Sequence, residues 1–168
     1  MDLTLNYPQF TPLSLEHKSL FDATFKECPP EISEFTFTNL FSWRKVYGFK
    51  ISRLNGLIIL LAESLKPGCF FQPIGSGDIA RAMQQILHDL NVEFCRIPES
   101  LARIFEDDHF LKVAEDRDNF DYLYLSADLI NLGGRKYDGK RNQINKFKSE
   151  HEYAYIDIRA VDIKQVLE

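Results

Sequence analysis

The segment GGRKYDGKRNQINKFKSEH, Gly133 to His151, gathers positive charge in a chain that is acidic as a whole. Arg135, Lys136, Lys140, Arg141, Lys146 and Lys148 lie between Gly134 and Glu150, with Asp138 as the opposing charge inside the run. Spacing predicts a helix over roughly Asp138–Lys148. It puts Arg141, Asn145 and Lys148 on one face and marks Ile144 and Phe147 as the buried face. Arg135, Lys136 and Tyr137 then fall in the loop before the helix. A loop entering a helix N-terminus offers unpaired N–H groups and a partial positive charge. Arginine and lysine beside it build a place for phosphate or carboxylate oxygens. The Gly133-Gly134 pair lets backbone come close to a ligand. The plainer alternative is a solvated helix whose charges keep the chain soluble, and residue types alone leave both readings open.

Other candidate centres are weaker. Asp107, Asp108, Glu115, Asp116, Asp118 and Asp121 precede the basic run. Asp116 and Asp118 could face a metal, but the stretch lacks the central glycine and closing glutamate of a calcium loop. A charged turn balanced by Arg117 reads better. His17, His88, His109 and His151 lie far apart, with no paired-histidine motif and no nucleophile elbow. No metal site is therefore expected, and no general base or other catalytic residue can be named. GSGD (Gly75–Asp78) reads as a turn and helix cap. Cys28, Cys69 and Cys95 are scattered and odd in number, so free thiols in a reducing compartment are expected.

These residues need a scaffold, and the 168-residue chain is long enough for one domain or slightly more. A 45% hydrophobic and 27% charged composition can bury a core. The net charge of -5 argues against a dedicated nucleic-acid coat but leaves room for a local basic patch. Met1–Phe10 has no basic, apolar leader pattern. The longest apolar run, Gly56–Ala62, is too short to cross a bilayer and reads as a buried strand.

Thr11-Pro12 is expected to cap and open a first helix. A second helix carries Phe37, Leu40, Phe41 and Arg44 and ends at Gly48. Phe49–Leu54, the Asn55-Gly56 turn and LIILLAE form a hairpin. PGCFFQPIG, opening with Pro67-Gly68, adds a third antiparallel strand. Ile79, Met83, Ile86, Leu87 and Leu90 define a helix capped by Ser76 or Asp78. VEFCRI reads as a strand and PESLARIFEDD as a short helix. FLKVAED, FDYLYLSADL and YAYIDIRA are read as strands, and VDIKQVLE as the start of another helix. The order predicts an α+β (mixed α/β) domain with helices on a mainly antiparallel sheet.

SEFTFTNLFSWR, DRDNFDYLYLSADLINLGGRKYDGKRNQINKF and the proline-glycine strand between them resemble one family, over roughly Ser33 to Ile158. It is the family related to the C-terminal region of phosphatidylglycerol lysyltransferase, with GRKYxGKRNxINKF as its signature here. The resemblance implies a GNAT-like acyltransferase fold and kinship with Fem-type peptidyltransferases. In that wider group two such domains are fused, and an aminoacyl group passes from charged tRNA to an amine or a lipid hydroxyl. Residues 1–160 are then expected to be one GNAT-like domain, the N-terminal half of a twin-domain protein. Residues 161–168 would begin a following segment or be a tag remnant.

The resemblance also implies that Gly134, Arg135, Lys136, Tyr137, Lys140, Arg141, Asn142 and Asn145 follow the central strand and hold the donor's anionic part. Acetyltransferases of this fold usually hold coenzyme A with a Gln/Arg-x-x-Gly-x-Gly/Ala loop. The sequence is read as having no such loop, so cations suited to a phosphodiester or a tRNA end fit better than acetyl-CoA. The expected function is aminoacyl or acyl transfer in the cytoplasm. No bound cofactor is expected, and aminoacyl-tRNA or acyl-CoA would be the donor substrate. Expected partners are tRNA or an anionic lipid surface, a second GNAT-like domain of the same protein, or a second copy. The alternatives are a non-catalytic module that binds RNA, lipid or an acidic partner, and an acyl-CoA-dependent N-acyltransferase.

Overall fold

Asn55 and Gly56 both adopt left-handed backbone, with φ of +51° and +84°. That is the geometry a two-residue hairpin turn requires. A computed structural model describes residues 5–65, 69–157 and 159. In it the turn joins β2 (Phe49–Leu54) to β3 (Leu57–Ala62), paired from Phe49↔Ala62 to Leu54↔Leu57. β1 (Thr11–Pro12) flanks β2, and β4 (Cys69–Phe70) flanks β3, both antiparallel. β5 (Glu93–Phe94) adds to β4 in parallel, so the sheet runs β1-β2-β3-β4-β5. The expected meander and the mixed α/β, mainly antiparallel class are both present. The Pro67-Gly68 turn lies outside the described residues.

β3 explains how the helices are arranged. Its apolar run is buried almost throughout, as a strand covered on both faces must be. Ile58, Leu60 and Ala62 pack with Phe21, Phe37 and Leu40 from α1 (Lys18–Glu27) and α2 (Phe37–Tyr47). Leu57 and Ile59 pack on the other side with Phe70 and with Ala82 and Ile86 of α3 (Ile79–Asp89). Each such Leu or Ile contributes about 1.5–3 kcal/mol by leaving water. α3 also carries the chain from β4 to β5, and a helical crossover of this kind is what a parallel pair needs. Asp78 caps α3 by accepting from the Arg81 N–H at 2.9 Å.

The start of the chain departs from expectation. Thr11 and Pro12 do not open a helix; they pair with Ile51 and Lys50 as an edge strand, where proline's missing N–H does no harm. Ser14 does the capping, with a 3₁₀ turn at Leu15–His17 leading into α1. The Ser14 N–H donates to His17 Nδ1 at 3.0 Å. The cysteines depart as well. Cys69 and Cys95 form a disulfide with Cα atoms 6.4 Å apart, because the parallel β4–β5 pairing brings the two strands side by side. Of the three expected free thiols, Cys28 alone is free.

The chain divides into two compact units, Met1–Asp121 and Tyr122–Glu168. The sheet and α1–α3 belong to the first, as does α4 (Glu99–Ala102), which follows Pro98. In the second unit, α5 (Ser126–Asn131) and α6 (Asp138–Glu150) are joined by a 3₁₀ turn at Arg135–Tyr137. FLKVAED is irregular and not a strand. FDYLYLSADL joins no ladder among the described residues, and its end is helix α5. Of the expected final strand, residues 153–157 and 159 form no ladder, and Ile158 and Ala160 lie outside the described residues. The VDIKQVLE helix lies outside them too. The reason is common to these segments: alternation was read correctly, but a strand needs a neighbour, and none is present among the described residues.

Gly48 closes α2 at φ +61°, and a Cβ there would sit 2.5 Å from Ser64 Oγ. Gly48→Ala should therefore lower stability by about 1–2 kcal/mol, measured as a lower urea midpoint at an unchanged slope.

Candidate functional site

The basic segment is built around a reversal of the chain. α5 ends at Leu132, which is left-handed at φ +46°, and Gly134 follows at φ +80°. Glycine supplies that second conformation without strain. Arg141, one turn into α6, reaches back over the reversal. Its Nη1 donates to the carbonyls of Leu132 and Gly134, and its Nη2 to Asp138. The guanidinium fork thus satisfies carbonyls left bare at the end of α5.

A second clasp joins the two helices. Lys136 Nζ donates to Asp128 Oδ2 at 2.8 Å, and the Tyr137 hydroxyl donates to the same oxygen at 3.3 Å. The Lys136 ammonium lies 4.9 Å from the centre of the Tyr137 ring. The hydrogen bond from Lys136 holds the Asp128 carboxyl below its usual value, and the same bond holds the Lys136 ammonium above its own. Tyr137 is the one buried side chain of this unit among the described residues.

The expected site residues therefore divide. Gly134, Lys136, Tyr137 and Arg141 form the turn itself. Arg135, Lys140, Asn142 and Asn145 are exposed, and Arg135, Lys140 and Lys148 make no ion pair among the described residues. These exposed groups, with the amides of the turn, are the ones open to an anion. The segment follows helix α5, not a strand. Ile144 and Phe147, expected to be buried, are 42% and 49% exposed. Phe147 stacks instead on His151 and Tyr153.

The weaker centres settle as follows. Among the described residues, no group of three His, Cys, Asp or Glu side chains could hold a metal ion. Asp116 opens a 3₁₀ turn and accepts from Asn119 at 2.7 Å. Arg117 lies over the Phe120 ring rather than pairing with the aspartates. His88 meets only Asp89 at the surface.

Two features were missed. Gln72-Pro73-Ile74-Gly75-Ser76-Gly77 does have the Gln-x-x-Gly-x-Gly spacing, against the expectation that the sequence has no such loop. It leaves the carboxyl end of β4 and enters α3. Ligands favour the carboxyl ends of parallel strands in α/β sheets. The glycines also have a packing role: a Cβ on Gly77 would lie 2.9 Å from Leu57 Cγ, and one on Gly75 3.3 Å from Leu57 Cδ2. The Asp78 carboxylate already caps the helix there.

The second is Arg96, left-handed at φ +56° two residues after β5. Phe94 packs toward α3 and Cys95 toward the opposite core, so strict alternation would return Arg96 to the α3 side. Instead it donates to Glu34 and, at 3.2 Å, to Tyr47, and lies over Tyr47 and Phe71. No sequence signal marks that reversal.

The family model for the C-terminal region of phosphatidylglycerol lysyltransferase matches residues 25–168. The chain belongs to this family. A crystal structure of a conserved protein of unknown function from Bacteroides thetaiotaomicron is similar, with 25% identity and a TM-score of 0.72. The similarity covers 94% of this chain and 56% of that one, so the chain spans little more than half of that protein. No curated protein matches. For this lysyltransferase-like chain, no helix among the described residues is long and apolar enough to cross a membrane.

The clasp predicts a titration. A carboxyl held below its usual value stabilises the fold above the unfolded-state pKa, and that stabilisation is lost as pH falls through the folded-state value. Lys136→Met should return the Asp128 carboxyl toward its ordinary value in a carbon-detected NMR titration.

Proposed function

We propose that the chain is one half of a GNAT-like aminoacyltransferase of the cytoplasm, acting at an anionic lipid surface. The family match across the basic segment is the observation that carries this reading. The donor is an aminoacyl ester on a tRNA end. An acceptor hydroxyl or amine attacks the ester carbonyl carbon. The bond from that carbon to the ribose oxygen breaks, and the ribose oxygen takes up the proton the acceptor gives up. Such an exchange between activated groups depends on positioning and on stabilising the oxyanion, and needs no covalent enzyme intermediate. Arg135 and Lys140, with the amides of the turn, hold donor phosphates. Asn142 and Asn145, one helical turn along, orient the carbonyl. Lys136, Tyr137 and Arg141 keep the turn in shape. The other half is a second unit of the same kind, in keeping with a solved relative of which this chain covers 56%.

One observation favours a second reading. The Gln72–Gly77 loop has the spacing that holds coenzyme A in acetyltransferases of this fold, which supports an acyl-CoA donor at the mouth of β4. Binding of a short acceptor-stem mimic across a salt series, with coenzyme A as competitor, separates the two. For the aminoacyl reading, Arg135→Glu with Lys140→Glu should weaken binding at least tenfold and reduce the salt slope by about two phosphates' worth. Coenzyme A binding that ignores this pair but is lost in Ser76→Glu would move the donor to the loop. Saturable binding without transfer to any acceptor would make the chain a binding module.

A further inference from the structure

Cys69 and Cys95 close a covalent ring. The disulfide between them joins residues 26 apart in sequence, and that span holds β4, the Gln72–Gly77 loop, α3 and β5. The β4–β5 ladder beside it is short, with Cys69 opposite Glu93 and Phe70 opposite Phe94. The Cys95 N–H extends it by donating to the Phe70 carbonyl at 2.8 Å. The next residue is the left-handed Arg96, whose guanidinium meets Glu34 and Tyr47 and lies over the Phe71 ring. The bridge therefore fixes the backbone from which Arg96 reaches α2 and the segment before it. The two sulfurs differ in access. Cys69 is 2% exposed, whereas Cys95 is half-buried and is the one a small thiol can reach. In a reducing cytoplasm, a bridge inside a protein is as a rule a transient one that senses or uses redox change.

We propose that the Cys69–Cys95 pair is a redox-sensitive lock on the β4–β5 edge of the sheet. It rests on the cytoplasmic setting of the proposed function and on no other part of that reading. A low-molecular-weight thiol such as glutathione attacks the Cys95 sulfur. The S–S bond breaks, and Cys69 leaves as a thiolate that takes up a proton. A second glutathione attacks the glutathione sulfur of the mixed disulfide and frees the Cys95 thiol. Two glutathione thiols have then given two electrons and two protons, and one glutathione disulfide remains. Glutathione disulfide closes the bridge again by the reverse steps. Closed, the bridge ties β5 to β4 and takes freedom from the unfolded ring. Open, β5 and Arg96 are held by noncovalent contacts alone, and the glycine loop loses its closed ring.

Equilibrating the full chain with reduced and oxidised glutathione at a series of ratios, then trapping thiols by alkylation and weighing the protein, tests it. A reversible two-electron transition at Cys69 and Cys95 is expected within the ratios a cytoplasm maintains, unchanged in Cys28→Ser. On the unaltered protein, reduction should lower the thermal midpoint by roughly 5–15 °C. It should also raise amide exchange in residues 70–77 and 93–97 at least tenfold and leave the β2–β3 hairpin unchanged. Cys95→Ala, at the half-buried position, should show the midpoint of the reduced protein and no response to glutathione. A pair still bridged at the most reducing ratio is a permanent staple, and a pair never bridged is two ordinary thiols; either result overturns the lock. So does a transition that leaves exchange unaltered or one that Cys28→Ser abolishes. A permanent staple speaks against the cytoplasmic setting and not against aminoacyl transfer, which the acceptor-stem experiment tests without reference to the bridge.

Discussion

Burial of β3 on both faces is the constraint on which the first unit depends. Six consecutive residues with almost no polar character can be hidden only if something covers each side of the sheet. The phenylalanines of α1 and α2 take one side and the amphipathic face of α3 takes the other. Once α3 occupies its side, it delivers the chain back beside β4, and β5 has to run parallel. The parallel pair, the disulfide across it and the loop at its carboxyl end all follow from that one hydrophobic requirement.

The second unit answers to a different constraint. It has little to bury, and polar contacts shape it. Arg141 spends its donors on carbonyls of the reversal, and Lys136 and Tyr137 converge on Asp128. A cluster that looks in sequence like spare positive charge is thus partly neutralised in the fold. What remains for a ligand is the outer set, Arg135, Lys140 and the two asparagines, carried on a frame that the inner set holds rigid.

How much was legible follows from the range of each signal. Asn55-Gly56, Gly48 and the periodicity of α3 act within a few residues, and each is found where the sequence placed it. The helix expected over roughly Asp138–Lys148 is α6, Asp138–Glu150. Pairing is not local, so Thr11-Pro12 looked like a helix start until β2 claimed it. The alternation of Tyr122–Leu125 looked like a strand, although alternation only equips a segment for a partner. In the candidate site, the residue types were readable but their division of labour was not, because nothing in the spacing shows that Arg141 turns back toward Leu132 while Lys140 faces water. The glycine loop was readable as well: Gly75–Asp78 reads as a turn and helix cap by itself, and only Gln72, three residues before it, completes the spacing.

The order of strands in the sheet is the order of strands in the chain. The β2–β3 pairing closes only the Asn55-Gly56 turn, an entropically cheap closure, whereas β1 and β5 join across connections that carry helices. A hairpin that local can form early. On a ribosome the five strands and the helices that cover them are complete before residue 122 is made. The hydrophobic interior of the first unit can therefore be sealed before the exposed tyrosines and leucines appear, which keeps the buried apolar run of β3 and the exposed run at Tyr122–Leu125 apart in time.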